Sequence, residues 1–186
     1  MPEQRFVRLK ELFRKAEDRS KEAEILNDAL SVPTLNELRY VAFHLTHYLS
    51  TDDSTEKETH LSEAESHCRR AYFDASMIVV DYYLGIIKEF RTRYQYIPIG
   101  SVIPGYIDKL KTIKEIEVAT SQYANGSHPE KEKFCEELSN YIIPLRDIWN
   151  VFDLSREEIN KKAAIWFIGI VFAFFSMIAG ILKLIL

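Results

Sequence analysis

The sequence predicts an all-α fold: a helical bundle with a long central helix and, at the C-terminus, one membrane-spanning helix. Three observations predict it. Apolar residues recur at spacings of three and four through most of the chain, the period of an amphipathic helix. Gly and Pro number only six each in 186 residues, which leaves little room for disordered tracts or many tight turns. The 20 residues from Ala163 to Leu182 carry no formal charge, and as a helix they reach about 30 Å, the thickness of a bilayer's hydrocarbon core.

The first helix is expected over Pro2 to Ser31, with Phe6, Leu9, Phe13, Ala16, Ala23, Leu26 and Leu30 on one face and Pro33 ending it. Thr34-Leu35-Asn36-Glu37 has the form of a capping box, so a second helix should run from about Leu35 to Leu49. Its stripe would be Leu35, Leu38, Val41, Ala42, Leu45 and Leu49. A polar connection, Ser50 to Ser54, leads into a periodic segment from near Thr55 to about Tyr94, a helix of about 60 Å in which Gly85 is the place for a bend or a division into two. Two Pro-and-Gly pairs make Tyr96 to Gly105 a loop, and its aliphatic side chains should pack on the core or on a membrane surface.

A fourth helix is read from Tyr106 to Tyr123, stopped by Asn125-Gly126. Ser127-His128-Pro129-Glu130 then opens a fifth, with Phe134, Leu138, Ile142, Leu145 and Trp149 inward and a kink at Pro144. Ser155-Arg156-Glu157-Glu158 should cap the last helix directly before the apolar run, which joins a bundle of residues 1–154 to a juxtamembrane and membrane helix of residues 155–186 without a flexible linker.

Charge narrows the function classes. Setting aside Lys183 leaves 23 of the 24 basic residues against all 28 acidic ones, a formal charge of −5 instead of −4. A dedicated nucleic-acid binder is usually basic. The two cysteines, Cys68 and Cys135, are far apart and form neither a CxxC metal motif nor a disulfide framework, which fits a reducing compartment. No apolar core of a secretory signal occurs in the first 30 residues.

Arg156, Lys161 and Lys162 precede the apolar run, which by the positive-inside rule keeps the N-terminal domain cytoplasmic on a single-pass inner-membrane protein. Trp166 sits where an indole prefers the interface, and Lys183 can snorkel to the far headgroups. Gly169, Ala173, Ser176 and Gly180 follow at spacings of four, three and four, which places them on one stripe where membrane helices can approach closely. Phe167, Phe172, Phe174 and Phe175 occupy most of the rest of the circumference. The expected partners are the bilayer and further copies of the chain.

Two groups of residues carry possible chemistry. Arg39 and His44 lie just inside the second helix, separated by four residues. His67, Arg70 and Asp74 share a face of the third. An arginine can stabilise phosphate charge and an imidazole can move a proton near neutral pH. Arg39 and His44 are also open to a plain reading, as a solvated arginine and a packed histidine. His47, one turn beyond His44, is either a phosphate or metal ligand or a surface residue; His60 and His128 read as loop or helix-start residues, and the sequence shows no third ligand for a zinc site. No metal and no cofactor are expected.

The Arg39–His44 spacing within a small helical bundle resembles the HEPN superfamily, in which an Arg and a His separated by four to six residues form a metal-independent ribonuclease site across a dimer. The similarity covers about Leu35 to Phe90. Position 40 is Tyr where active members often carry a small polar residue, and the motif lies in an early helix instead of a late one. A HEPN-like domain joined to a membrane helix is similar in architecture to the membrane accessory proteins encoded beside RNA-targeting type VI-B CRISPR effectors. That resemblance implies a pore-like oligomer that assists antiviral defence, with a divergent ribonuclease motif and an RNA-guided ribonuclease as functional partner. Three readings stand together: a membrane-perturbing oligomer without enzymatic activity, a membrane-tethered ribonuclease acting on RNA through Arg39 and His44, and a tail-anchored adaptor that binds another protein.

Overall fold

The computed structural model describes residues 2–123 and 128–185. Six helices follow in order: α1 (Pro2–Asn27), α2 (Val32–Ser50), α3 (Ser54–Arg93), α4 (Tyr106–Tyr123), α5 (His128–Leu154) and α6 (Arg156–Ile185), with a 3-10 turn at Ile99–Ser101 between α3 and α4. Among the described residues there is no strand. The all-α class expected from periodicity is therefore found among the described residues, with α3 as the long central helix. The Asn125-Gly126 stop and the Ser127 capping box fall at or beyond the edge of the described residues.

α3 is 40 residues long and unbroken. It passes through Gly85 without division, and Gly85 faces outward, with open space where a Cβ would stand. Both helix partners of its N-terminal half, α1 and α2, share a small core of Leu9, Val41, Leu61, Ala64 and Cys68. Its C-terminal half lies in the main core, where Val79, Ile87 and Phe90 meet Ile113 and Ile116 of α4, Ile142, Leu145 and Phe152 of α5, and Ile159 of α6. Each such side chain removed from water contributes about 1.5–3 kcal/mol. Ile99 and Ile103 of the Tyr96–Gly105 segment are buried in the same cluster, so that loop packs on the core. Gly105 takes a left-handed φ of 63°, a conformation that favours glycine. Both cysteines are buried and unpaired.

Four local expectations are corrected. α1 stops at Asn27, where Asp28 adopts a φ of 51°. Leu30 is then solvent-exposed instead of lying on the buried stripe, because it belongs to the turn. Pro33 opens α2 instead of ending α1. It occupies the first turn, where a missing N–H costs nothing. The cap of α2 is Ser31, whose Oγ accepts from the Thr34 amide at 3.4 Å, and Thr34 is buried within the helix. Leu35 and Leu49 are exposed while Val41 is fully buried, because only one narrow side of α2 meets α1 and α3.

The joint before α6 also differs from its sequence reading. Ser155 does not cap the helix; its hydroxyl donates to the Val151 carbonyl at 2.7 Å. Ser155 closes one helix and opens the next: its N–H donates to the Val151 carbonyl at 3.1 Å, and its own carbonyl accepts from Ile159 N at 3.0 Å. α5 and α6 are thus separated by a single non-helical residue. The first turns of α6 belong to the bundle: Ile159 is buried, and Tyr94 donates its hydroxyl to Asn160 Oδ1 at 3.0 Å. Beyond them α6 is long and apolar enough to cross a membrane, and none of its most apolar stretch is buried.

Candidate functional site

α2 and α3 are joined by only Thr51, Asp52 and Asp53, so they run antiparallel with their neighbouring faces in register. On α2 the facing residues are Glu37, Tyr40, His44 and His47; on α3 they are His60, Glu63, His67 and Arg70. Both rows carry spacings of three, four and three, so in an antiparallel pair each residue finds one opposite. His47 stacks on His60 with ring centroids 5.1 Å apart. Tyr40 stacks on His67 at 5.1 Å. Arg70 Nε donates to Glu37 Oε2 at 3.1 Å. His44, Glu63 and His67 bring one potential ligand atom each to within 4.8 Å of one another.

Further contacts tie the rungs together. His44 Nδ1 lies 3.1 Å from His60 Nδ1, one ring donating and the other accepting. The His44 ring also stacks on His67 at 5.1 Å. His67 Nδ1 is 2.7 Å from Glu37 Oε2 and 3.0 Å from Arg70 Nη2; the first contact needs an N–H and the second a lone pair, and the shorter one assigns the proton to Nδ1. Burial, then the neighbouring His67 and His60, holds the His44 imidazole below its ordinary value, with Glu63 pulling in the opposite direction. His44 is therefore neutral at pH 7, with a nitrogen lone pair to offer.

The Glu37 end of the ladder is locked into the bundle. Arg70 Nη1 donates to Glu132 Oε1 of α5 at 2.8 Å, Arg69 Nε reaches Glu132 Oε2 at 3.4 Å, and Ser66 donates to the same carboxylate. On the other side Arg5 of α1 donates to Glu65 at 3.1 Å and pairs with Glu58. Partly buried charge on α3 is in this way compensated by partners on α1, α2 and α5. The His47 and Glu63 end faces solvent.

The structure does not bring Arg39 and His44 together within one chain. Five residues of helix turn them about 140° apart. Arg39 is exposed, its guanidinium over the Tyr40 ring at 5.6 Å, while His44 is half-buried in the histidine ladder. His67 and Arg70 do meet, but both are engaged with Glu37. Asp74 lies one turn farther along α3, half-buried. Gly169, Ala173, Ser176 and Gly180 are exposed along α6, and a Cβ at Gly169 or Gly180 would meet nothing within 4 Å.

Sequence reasoning missed Glu63 and misjudged His60, which is a half-buried residue well inside α3 instead of a loop or helix-start residue. The signal lay in the matched three-four-three spacings on either side of a short connection, which are visible only when both helices are read as one antiparallel pair. Comparisons with protein families, curated proteins and solved structures return no match. Fold and site thus define a class, an all-helical bundle with a polar, histidine-rich seam and one uncovered apolar helix, and the functional reading rests on those features.

Proposed function

We propose that this protein is a membrane-anchored effector or accessory protein whose tail helices self-associate into a pore-like assembly that perturbs the inner membrane in antiviral defence. The observation that carries this reading is the α5–α6 joint. α6 follows α5 after one non-helical residue, its first turns pack in the bundle core through Ile159, and the apolar surface beyond them is uncovered. Such a surface is costly in water and stable in lipid. A rigid junction transmits a rotation or displacement of the bundle into the membrane helix, which a flexible linker would absorb.

The Gly169, Ala173, Ser176 and Gly180 stripe supports self-association, since small residues let helix backbones approach and gain van der Waals contact where lipid supplies no hydrophobic drive. Arg156, Lys161 and Lys162 at the head of the run support a cytoplasmic bundle. The defence setting, with an RNA-guided ribonuclease as partner, follows from the architectural resemblance to type VI-B accessory proteins. The net negative charge of the chain favours this reading over a membrane-tethered ribonuclease, which must bind RNA.

The test uses the full chain expressed in bacteria. It should stay with membranes through alkaline carbonate, migrate as a discrete oligomer in mild detergent and depolarise cells. Replacing Gly169, Ala173 and Gly180 with leucine should abolish the oligomer and the depolarisation together. Extraction by carbonate, or a monomer that depolarises as well as the unaltered chain, would overturn the proposal.

A further inference from the structure

We propose that His44, Glu63 and His67 form a binding site for a divalent transition-metal ion of the zinc type, which pins α2 to α3. The three donor atoms come from two helices and lie within 4.8 Å of one another. A tetrahedral zinc with ligand distances near 2.0–2.1 Å needs donors about 3.3–3.5 Å apart. Closing to that separation takes side-chain rotation of exposed Glu63 and of the half-buried His44 and His67 rings out of their 5.1 Å stack.

What distinguishes this cluster from a chance meeting of polar groups is how the imidazoles are held. A histidine that binds metal through one nitrogen usually has the other fixed by a hydrogen bond, which sets its tautomer and orientation. His67 meets this condition through Nδ1 and Glu37 Oε2 at 2.7 Å. His44 meets it through Nδ1 and His60 Nδ1 at 3.1 Å. The His67 ring is then left with Nε2 as its free lone pair, and so is the His44 ring in the tautomer whose Nδ1 donates to His60.

Two imidazoles and one carboxylate suit zinc and its borderline neighbours better than calcium or magnesium, which prefer all-oxygen shells. Glu63 faces solvent, so the fourth position of a tetrahedral ion would take water. The site is independent of the tail helix. It gives His44 a role as ligand in place of the proton-moving role that the Arg39–His44 spacing implies.

The experiment takes the full chain in mild detergent, strips it with a chelator and titrates it with zinc by calorimetry, and with cobalt as a spectroscopic probe. One zinc per chain is expected, with cobalt giving the visible bands of a tetrahedral nitrogen–oxygen site. Glu63→Gln, an exposed and conservative change, should weaken zinc at least tenfold while circular dichroism stays unchanged. His60→Ala should weaken it about 10-fold by releasing His44. Zinc should raise the melting temperature of the unaltered chain and not that of His44→Ala. No stoichiometric binding, binding that Glu63→Gln leaves intact, or the intense near-ultraviolet band of a cobalt thiolate would each overturn the proposal.

Discussion

Arg70 of α3 donates to Glu37 of α2 at 3.1 Å across 33 residues of sequence, and the same guanidinium reaches Glu132 of α5 at 2.8 Å. Glu37 in turn receives His67. One carboxylate thereby fixes both the approach of α2 to α3 and the tautomer of a histidine in the ladder. Burial pushes the Glu37 carboxyl upward, but the hydrogen bonds from His67 and Arg70 outweigh it and hold the group below its ordinary value. Those bonds are stronger than neutral ones because both partners carry charge or polarise toward it.

Glu37→Ala should therefore lower stability by about 2 kcal/mol, the scale of a hydrogen bond to a charged group. Thermal or urea unfolding of the full chain in mild detergent, followed by circular dichroism, measures it. Glu37→Gln should fall between, since it keeps an acceptor and loses the charge. A melting curve unchanged in both variants would mean that Glu132 alone holds Arg70.

The cap of α2 offers a second measurement. Ser31 is the residue whose hydroxyl meets the Thr34 amide and, at 2.7 Å, the Thr34 hydroxyl. Ser31→Ala should cost about 1 kcal/mol. Were Thr34→Val, which keeps the shape and removes the hydroxyl, to cost more than Ser31→Ala, the capping-box reading of the sequence would be the better one.

Gly85 offers a gain. It lies in the interior of α3 on the outward side, and an added Cβ meets nothing within 4 Å. Gly85→Ala should raise stability by about 0.5–1 kcal/mol, because alanine loses less backbone freedom on entering a helix. A loss would indicate that α3 must bend there in the folded protein.

Acid should act on the start of α3. The amides of Glu56 and Thr55 donate to the Asp53 carboxylate and hold its pKa below the ordinary 3.8. A depressed carboxylate contributes stability that is fully present above the unfolded value and is lost as pH falls through the folded one. Asp53→Asn keeps an acceptor but removes the titration, so the stability of that variant should fall less steeply below about pH 4 than that of the unaltered chain. Parallel acid melts compare the two slopes.

Much of the architecture was legible in the residues. The three- and four-residue spacing of Leu61, Ala64, Cys68, Ala71, Ala75 and Val79 marks α3, whose expected ends fall within a residue of the observed ones, since a 40-residue amphipathic pattern has no competing structure. The uncharged run after Ala163 marks α6 in the same way. The ends were less legible. Pro33 punctuates either the close of one helix or the opening of the next, and only the Ser31 hydrogen bond decides between them. The site was least legible, because its members come from the two different arms of a helical hairpin. Arg39 and His44 are close in sequence and diverge in space, while His44 and Glu63 are distant in sequence and meet.

The sequence by itself determined the helices, their amphipathic faces and the apolar tail, because hydrophobic period and charge act locally along the chain. The tertiary structure alone decided which polar side chains face one another, how Glu37 divides itself between His67 and Arg70, and that the first turns of α6 belong to the bundle. Those outcomes depend on the register of one helix against another, and register is set by the packing of Val41, Leu61 and Ala64 in a shared core. No spacing read along a single helix contains it.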